Sequence, residues 1–268
     1  MNSFDVSGEF EEDFVYKPTV GEMRKMEREG GEELPCSGGR ILKHDLLREI
    51  SKRFESIDEQ RFLNSCLVDN WQRERFSRDE YYPINIAYYA EKSGLTLGQA
   101  YKELLDLAEK YTAKLEIPLE GKKVWRTQIV YSYKKDPENL TLEIKFNEEI
   151  IPYLSGDMIA GTYATYDARL AGIPSNKRYI MSEILQRNIW QIRKKGSFVL
   201  SLEEIRRGLN LAEHEYKQYG DLYTRILKPT LKDMAKIQGE YILMKKKKVG
   251  IIFTGTTKEV FEDNYGEL

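Results

Sequence analysis

Cysteine and histidine are almost missing from this chain of 268 residues: Cys36, Cys66, His44 and His214 are the whole complement. No two of them stand at metal-ligand spacing, so a zinc site is not expected, nor is the histidine pair that a metal-dependent DNA nickase sets beside its tyrosine. The chain also lacks a G-x-x-x-x-G-K-[ST] phosphate loop and a G-x-S-x-G nucleophile elbow. Catalytic residues, metal and cofactor are therefore all expected to be absent. No apolar run approaches the roughly 18 residues of a membrane span, and no signal-peptide core opens the chain. A protein that touches no membrane and stays in the cytoplasm is expected. Two unpaired cysteines fit a reducing compartment; Cys66 lies in an apolar helical stretch and reads as core, Cys36 in a Gly-rich stretch and reads as incidental.

Charge is plentiful, at 32% of residues, but the net value of −2 conceals its distribution. Residues 1–40 hold 5 Lys/Arg against 10 Asp/Glu, residues 41–155 hold 18 against 20, and residues 156–258 hold 19 against 10. Such asymmetry points to a polyanion partner for the last third. The same divisions serve as domain limits: an acidic extension (1–40), two folded units (41–155 and 156–258) and a short tail (259–268).

Helix starts are written in capping boxes. Ser56 with Glu59 opens a helix over 57–71, and Thr96 with Gln99 opens one running to about Tyr111, after a helix over 84–92 that stops at Ser93-Gly94. Strand patterns follow at 114–117, 124–133 and 140–146, with turns at 120–123 and 134–139. The order recurs about 120 residues later. A long helix over 176–194 precedes a short one capped by Ser201 and Glu204. A third helix, with Asp221 as its cap, runs to about Lys236. Strands at 240–244 and 249–254 flank a Lys245–Lys248 turn. Helix, turn, helix and β-hairpin twice over predict an α+β fold of two tandem winged-helix domains. Pro229 falls inside the third helix, where a straight helix would lose about 3 kcal/mol; a kink and a later start both remain open.

DNA affinity comes largely from Lys and Arg at phosphates, and specificity from polar side chains at base edges. In the second unit Arg225, Lys228 and Lys232, spaced three and four apart, predict one basic helix face, with Lys217, Tyr219, Tyr223 and Thr224 at its start. Lys245, Lys246, Lys247 and Lys248 are the expected wing. In the first unit Thr96, Gln99, Lys102 and Lys110 are the outward candidates on the second helix, and Lys122, Lys123 and Arg126 the wing. Each stripe is also what an ordinary solvated surface looks like. The near-neutral first unit is as well suited to dimerisation as to DNA contact. Trp71, Trp125 and Trp190 read as core or interface anchors.

Several segments in order carry a resemblance: Asp58-Glu-Gln-Arg-Phe-Leu63, Ile86-Ala-Tyr-Tyr-Ala-Glu91 leading to Gly94-Leu-Thr96, Ile144-Lys-Phe-Asn147 before Pro152-Tyr-Leu154, Tyr216 to Asp221, and Ile226-Leu-Lys-Pro-Thr-Leu-Lys-Asp233 before the Lys-rich hairpin. From about Ile41 to Thr254 the chain resembles the iteron-binding initiators of theta-replicating plasmids, the initiator replication protein family. The resemblance implies double-stranded DNA with direct repeats as partner and a homodimer in equilibrium with monomer, the dimer repressing its own promoter. It also implies contacts with the host initiator, the replicative helicase and chaperones, in a bacterial cytoplasm. A winged-helix repressor without a replication role, or a protein-binding scaffold of the same fold, remain the alternatives.

Overall fold

Side chains that cap amides start most of the helices in this computed structural model, which describes residues 40–68, 76–118, 124–154 and 163–268. The acidic extension, Cys36, Trp71 and the 120–123 turn with Lys122 and Lys123 lie outside the described residues. Strand β1 (Arg40–His44) leads into α1 (Asp45–Ser51), where His44 Nδ1 accepts the Leu46 amide at 3.0 Å. Helix α2 (Ile57–Leu67) begins on the Ser56/Glu59 box and buries Cys66, whose thiol burial pushes well above its ordinary pKa. After the two-residue β2 (Tyr82–Pro83), α3 (Ile86–Ser93) ends at Gly94 with φ 70°. The Thr96/Gln99 box then starts α4 (Leu97–Lys110). A left-handed residue after α3 is the conformation that glycine adopts without steric cost.

Strands β3 (Leu115–Pro118) and β4 (Val124–Thr127) pair antiparallel, and β5 (Val130–Asp136) and β6 (Thr141–Phe146) form a second hairpin with β2 on the outer side of β6. The single strand expected over 124–133 is thus two strands in different sheets. The break falls where Thr127, Ile129 and Val130 are all buried, which a continuous period-two pattern does not permit. A short α5 (Ile151–Leu154) precedes β7 (Tyr163–Asp167), which pairs antiparallel with β1. A division of the chain at 155/156 therefore separates two strands of one sheet.

A 3-10 turn (Ala168–Gly172) leads to α6 (Asn176–Lys195), ended by Gly196. Strand β8 (Ser197–Leu200) and α7 (Leu202–Gly208), with its Ser201/Glu204 box, follow. Helical segments Tyr219–Leu222, Tyr223–Leu227 and Lys228–Gln238 run together as α8. Strands β9 (Ile242–Lys247) and β10 (Gly250–Gly255) complete a sheet of order β8-β10-β9, and α9 (Lys258–Tyr265) closes the chain. Gln218, not Asp221, occupies the position before α8, with no side-chain cap bond; Asp221 lies inside its first turn.

Helix α6 belongs to both winged helices. Its Tyr179 hydroxyl donates to Glu183 Oε1 at 2.8 Å and accepts from Asn64 Nδ2 at 2.8 Å and from Lys43 Nζ at 3.2 Å. One donor and two acceptors are all that a hydroxyl has. Lys43 also meets Glu183 at 2.7 Å, and its side chain is 0% exposed. Around this ion pair Gln60 donates to Asn176, Asn176 to the Phe54 carbonyl, Arg61 to the Ala171 carbonyl and Tyr88 to the Ala168 carbonyl. All of these bonds join residues 43–88 to residues 168–183. Removing one partner of a buried ion pair leaves the other uncompensated, at a cost of about 3–5 kcal/mol. Lys43→Met is expected to lose stability on that scale in urea unfolding, and Lys43→Met with Glu183→Leu to recover most of it. A single variant within 1 kcal/mol of the parent would mean the pair is not structural.

Candidate nucleic-acid interface

Helix α8 carries its apolar residues inward and two different stripes outward. Leu222, Ile226, Leu227, Leu231 and Met234 are buried. Pro229 has no amide to give the Arg225 carbonyl, and its ring would clash there in a regular helix. The chain answers with a π-helical turn over Tyr223–Leu227, in which the Lys228 amide reaches back five residues to the Tyr223 carbonyl. Thr224 Oγ1 donates to the Gly220 carbonyl at 2.8 Å and Thr230 Oγ1 to the Ile226 carbonyl at 2.7 Å on either side of the widened turn.

The extra residue changes which side chains share a face. Arg225, Lys228 and Lys232 would align on an uninterrupted α-helix. Here Arg225 stays exposed with Gly220, Asp221 and Thr224. Tyr219, Tyr223, Lys228 and Lys232, spaced four, five and four, form a separate half-buried stripe toward the wing and α9. The Tyr219 and Tyr223 ring centroids are 6.0 Å apart, and Lys246 Nζ from β9 lies 4.3 Å from the centre of Tyr219. Lys228 Nζ is 5.9 Å from the Tyr265 ring, and Lys232 Nζ donates to the Glu267 carbonyl at 2.7 Å. The Tyr265 hydroxyl in turn accepts the Met244 amide at 2.9 Å on the edge of β9. Sequence reasoning missed α9 because its acidic residues read as tail; Phe261 and Tyr265, four apart and both buried, are the signal that was there.

The wing differs from the expected four-lysine turn. Lys245, Lys246 and Lys247 are strand residues, and the turn is Lys248 and Val249, the latter 74% exposed. All four lysines are exposed. Lys217, also exposed, precedes α8, so Lys217, Thr224, Arg225 and the wing lysines are all open to solvent, as are Arg207, Gln218 and Asp221.

The first domain offers less. Thr96 and Gln99 are exposed but bonded to each other in the cap, with Gln99 Oε1 accepting from the Thr96 amide and hydroxyl. Lys102 is exposed. Lys110 is turned to the buried carboxylate of Glu59. Burial works to raise that carboxyl, yet Lys110 and the amides of Ser56 and Glu55 outweigh it and hold its pKa below the ordinary value. Arg126 pairs with Glu116 at 2.7 Å across β3 and β4. A groove of about 510 Å³ beside it is lined by Arg78, Lys114, Lys145 and Arg126 itself together with Asp79, Glu148 and Glu149, so its charges largely cancel. Trp125 is half-buried with its ring 6.0 Å from Tyr153, and Trp190 is exposed. Among the described residues no cluster of His, Cys, Asp or Glu is built to hold a metal, and no helix is long and apolar enough to cross a membrane.

Helix-turn-helix units with β-hairpin wings, twice in one chain, define a tandem winged-helix protein of the DNA-binding class. Residues 40–167 match the family described as "Initiator Replication protein, WH1" and residues 201–255 the one described as "Initiator Rep protein, WH2". The chain belongs to the initiator replication protein family, the plasmid Rep proteins. A crystal structure of the Pi initiator protein in complex with iteron DNA is similar at a TM-score of 0.64 and 14% identity, covering 82% of this chain and 98% of that one. The WH1 domain of MSBI1.176, a replication protein isolated from a multiple sclerosis patient, aligns at a TM-score of 0.32 and 15% identity over 41% of this chain and 87% of that one. The sequence has no significant match among curated proteins.

Gly250 holds the wing in place. A Cβ there would stand 2.5 Å from the Leu200 carbonyl oxygen, at a φ of 150°. Gly250→Ala is expected to destabilise the β8-β10-β9 sheet by about 1–3 kcal/mol from backbone strain alone, read as a lower unfolding midpoint; an unchanged midpoint would show that the hairpin has room to shift.

Proposed function

We propose that this protein is a plasmid replication initiator that binds directly repeated origin DNA with both winged helices and acts by binding, without catalysis. The observation that carries the reading is the solvent face of the second domain, on which Thr224 and Arg225 of α8, Lys217 and the Lys245–Lys248 wing are all exposed. A helix of this kind suits a major groove, and the wing lysines suit the flanking phosphates. The likeness to an initiator solved on iteron DNA supports the same reading at the level of fold. Two recognition helices on one chain fit successive major grooves about 10 bp apart on one side of the duplex, which suits direct repeats better than a palindrome.

The second domain is the main contact and the first an accessory one, since Lys110 and Arg126 are already paired. Exposed Val124 and Tyr131 on β4 and β5 give the first domain apolar surface for a dimer, the form in which the protein represses its own promoter. Host initiator, replicative helicase and chaperones are the further partners of this reading, in the bacterial cytoplasm.

Binding measured by fluorescence anisotropy at several salt concentrations tests the assignment. One monomer is expected to saturate one repeat of about two helical turns. Arg225→Ala is expected to weaken binding about 10-fold or more and to lower the salt slope by about one. Lys232→Ala is expected to do less, because its ammonium group is held by the Glu267 carbonyl. Equal binding by the parent and by a variant lacking Arg225 and the four wing lysines would overturn the reading.

A further inference from the structure

The turn between α7 and α8 has a construction of its own. Asn210 and Tyr216 bracket it, both left-handed at φ 49° and 46°. Asn tolerates that conformation, but a bulky aromatic residue adopts it only where the surroundings hold it. Within the bracket, four carbonyls converge on one side chain. Arg206 Nη1 donates to the Glu215 and Tyr216 carbonyls at 2.9 and 3.0 Å, and Nη2 to those of Ala212 and Glu213 at 2.8 and 3.3 Å. The turn is further closed by the Ala212 amide, which donates to Glu215 Oε2 at 2.7 Å, and by the Leu211 amide on the Arg206 carbonyl at 3.0 Å. From the other side Lys177 of α6 donates to the Leu209 and Asn210 carbonyls. The bonds end at Tyr216, one residue before Lys217 and three before the start of α8.

We infer that Arg206 is a positioning residue of the DNA-binding surface, fixing the turn that delivers Lys217 and the first turn of α8 while touching no DNA itself. The planar guanidinium suits the task because its donors lie in a fixed fork and can serve diverging carbonyls at once. An ammonium group carries the same charge but is a compact point on a flexible stem. Hydrogen bonds from a charged donor are among the stronger ones, so losing the fork is expected to cost roughly tenfold or more in groove-specific affinity. Non-specific affinity comes from phosphate contacts that Arg206 does not make.

This inference rests on the DNA-binding reading above, and its test separates the two. In the full-length protein without DNA, hydrogen exchange of amides 211–218 reads the turn directly. Arg206→Ala and Arg206→Lys are both expected to speed it about tenfold or more, with helix α6 amides unchanged. With duplex carrying direct repeats, both variants are expected to lose about tenfold in affinity while the salt slope and the binding of scrambled duplex stay at parent values. A salt slope lower by about one with unchanged exchange would make Arg206 a phosphate contact instead, and full rescue by Arg206→Lys would show that charge alone matters. Equal loss on both duplexes with a lowered unfolding midpoint would reduce it to a general fold determinant. If the parent protein does not distinguish repeats from scrambled duplex, the initiator reading fails while the exchange result still decides the clamp.

Discussion

A buried lysine governs the relation between the two halves of this molecule. Lys43 is out of contact with water, and among the described residues the carboxylate that meets it is Glu183, on the α6 shared by the two winged helices. An uncompensated charge in that position costs several kcal/mol, so any rearrangement that pulls α6 from β1 must first re-solvate both ions. The surrounding bonds from Gln60, Arg61, Asn64 and Tyr88 make the geometry specific, since each ends on a particular atom of residues 168–183. Asp167 extends the constraint to α8: its carboxylate takes Arg169 in two-pronged fashion and accepts from Gln238 at the end of α8 at 3.1 Å. The placement of α8 is thereby tied to particular polar atoms at the junction of the two domains.

Within the second domain the deciding feature is a missing amide. Pro229 makes a regular helix impossible between Arg225 and Pro229, and the π turn that resolves it separates the exposed residues from the packed ones. Within the turn, Thr224 and Arg225 are exposed; after it, Lys228 and Lys232 are drawn to the tail. The helix thus has a solvent-facing stretch and a stretch packed against its own domain. A continuous α-helix would have placed three cations in a row on one face.

Local signals in the sequence were the ones that could be read. The capping boxes at Ser56, Thr96 and Ser201 all appear in the structure, because such a box needs only residues three apart. The tandem winged-helix plan followed from the order of those helices and the hairpins after them. Strands β1 and β7 escaped notice since their pairing joins Arg40 to Asp167, far apart in sequence, over five residues with little alternation. On the candidate surface, Thr224, Arg225 and the wing lysines could be picked out as residue types, and they prove exposed, whereas the partition of the basic residues between solvent and packing was not legible. That Lys110 answers Glu59, that Lys232 answers Glu267, and that Arg206 turns inward on a loop are facts of tertiary placement. A count of basic residues cannot distinguish a cation that meets solvent from one already spent on a carbonyl.

The same distinction explains how a chain of net charge −2 can present a face to a polyanion. At physiological salt a charge is felt over about 8 Å, so the field at the second domain is set by what lies within that range, and the acidic extension enters only if it comes that near. Ten acidic residues in positions 156–258 offset nineteen basic ones, but several of the ten are engaged inside the protein: Glu183 with Lys43, Asp167 with Arg169, Asp233 with Arg178 and Glu240 with Arg193. These pairs neutralise cations of α6 and the junction, away from the wing. Lys245 to Lys248 have no carboxylate of the described residues in an ion pair with them, nor has Arg225 or Lys217. What a duplex would encounter is therefore set locally, by the exposed cations of α8 and the hairpin that have no ion pair among the described residues, against exposed Asp221 and the acidic residues of α9 beside β9, rather than by the sum over the chain.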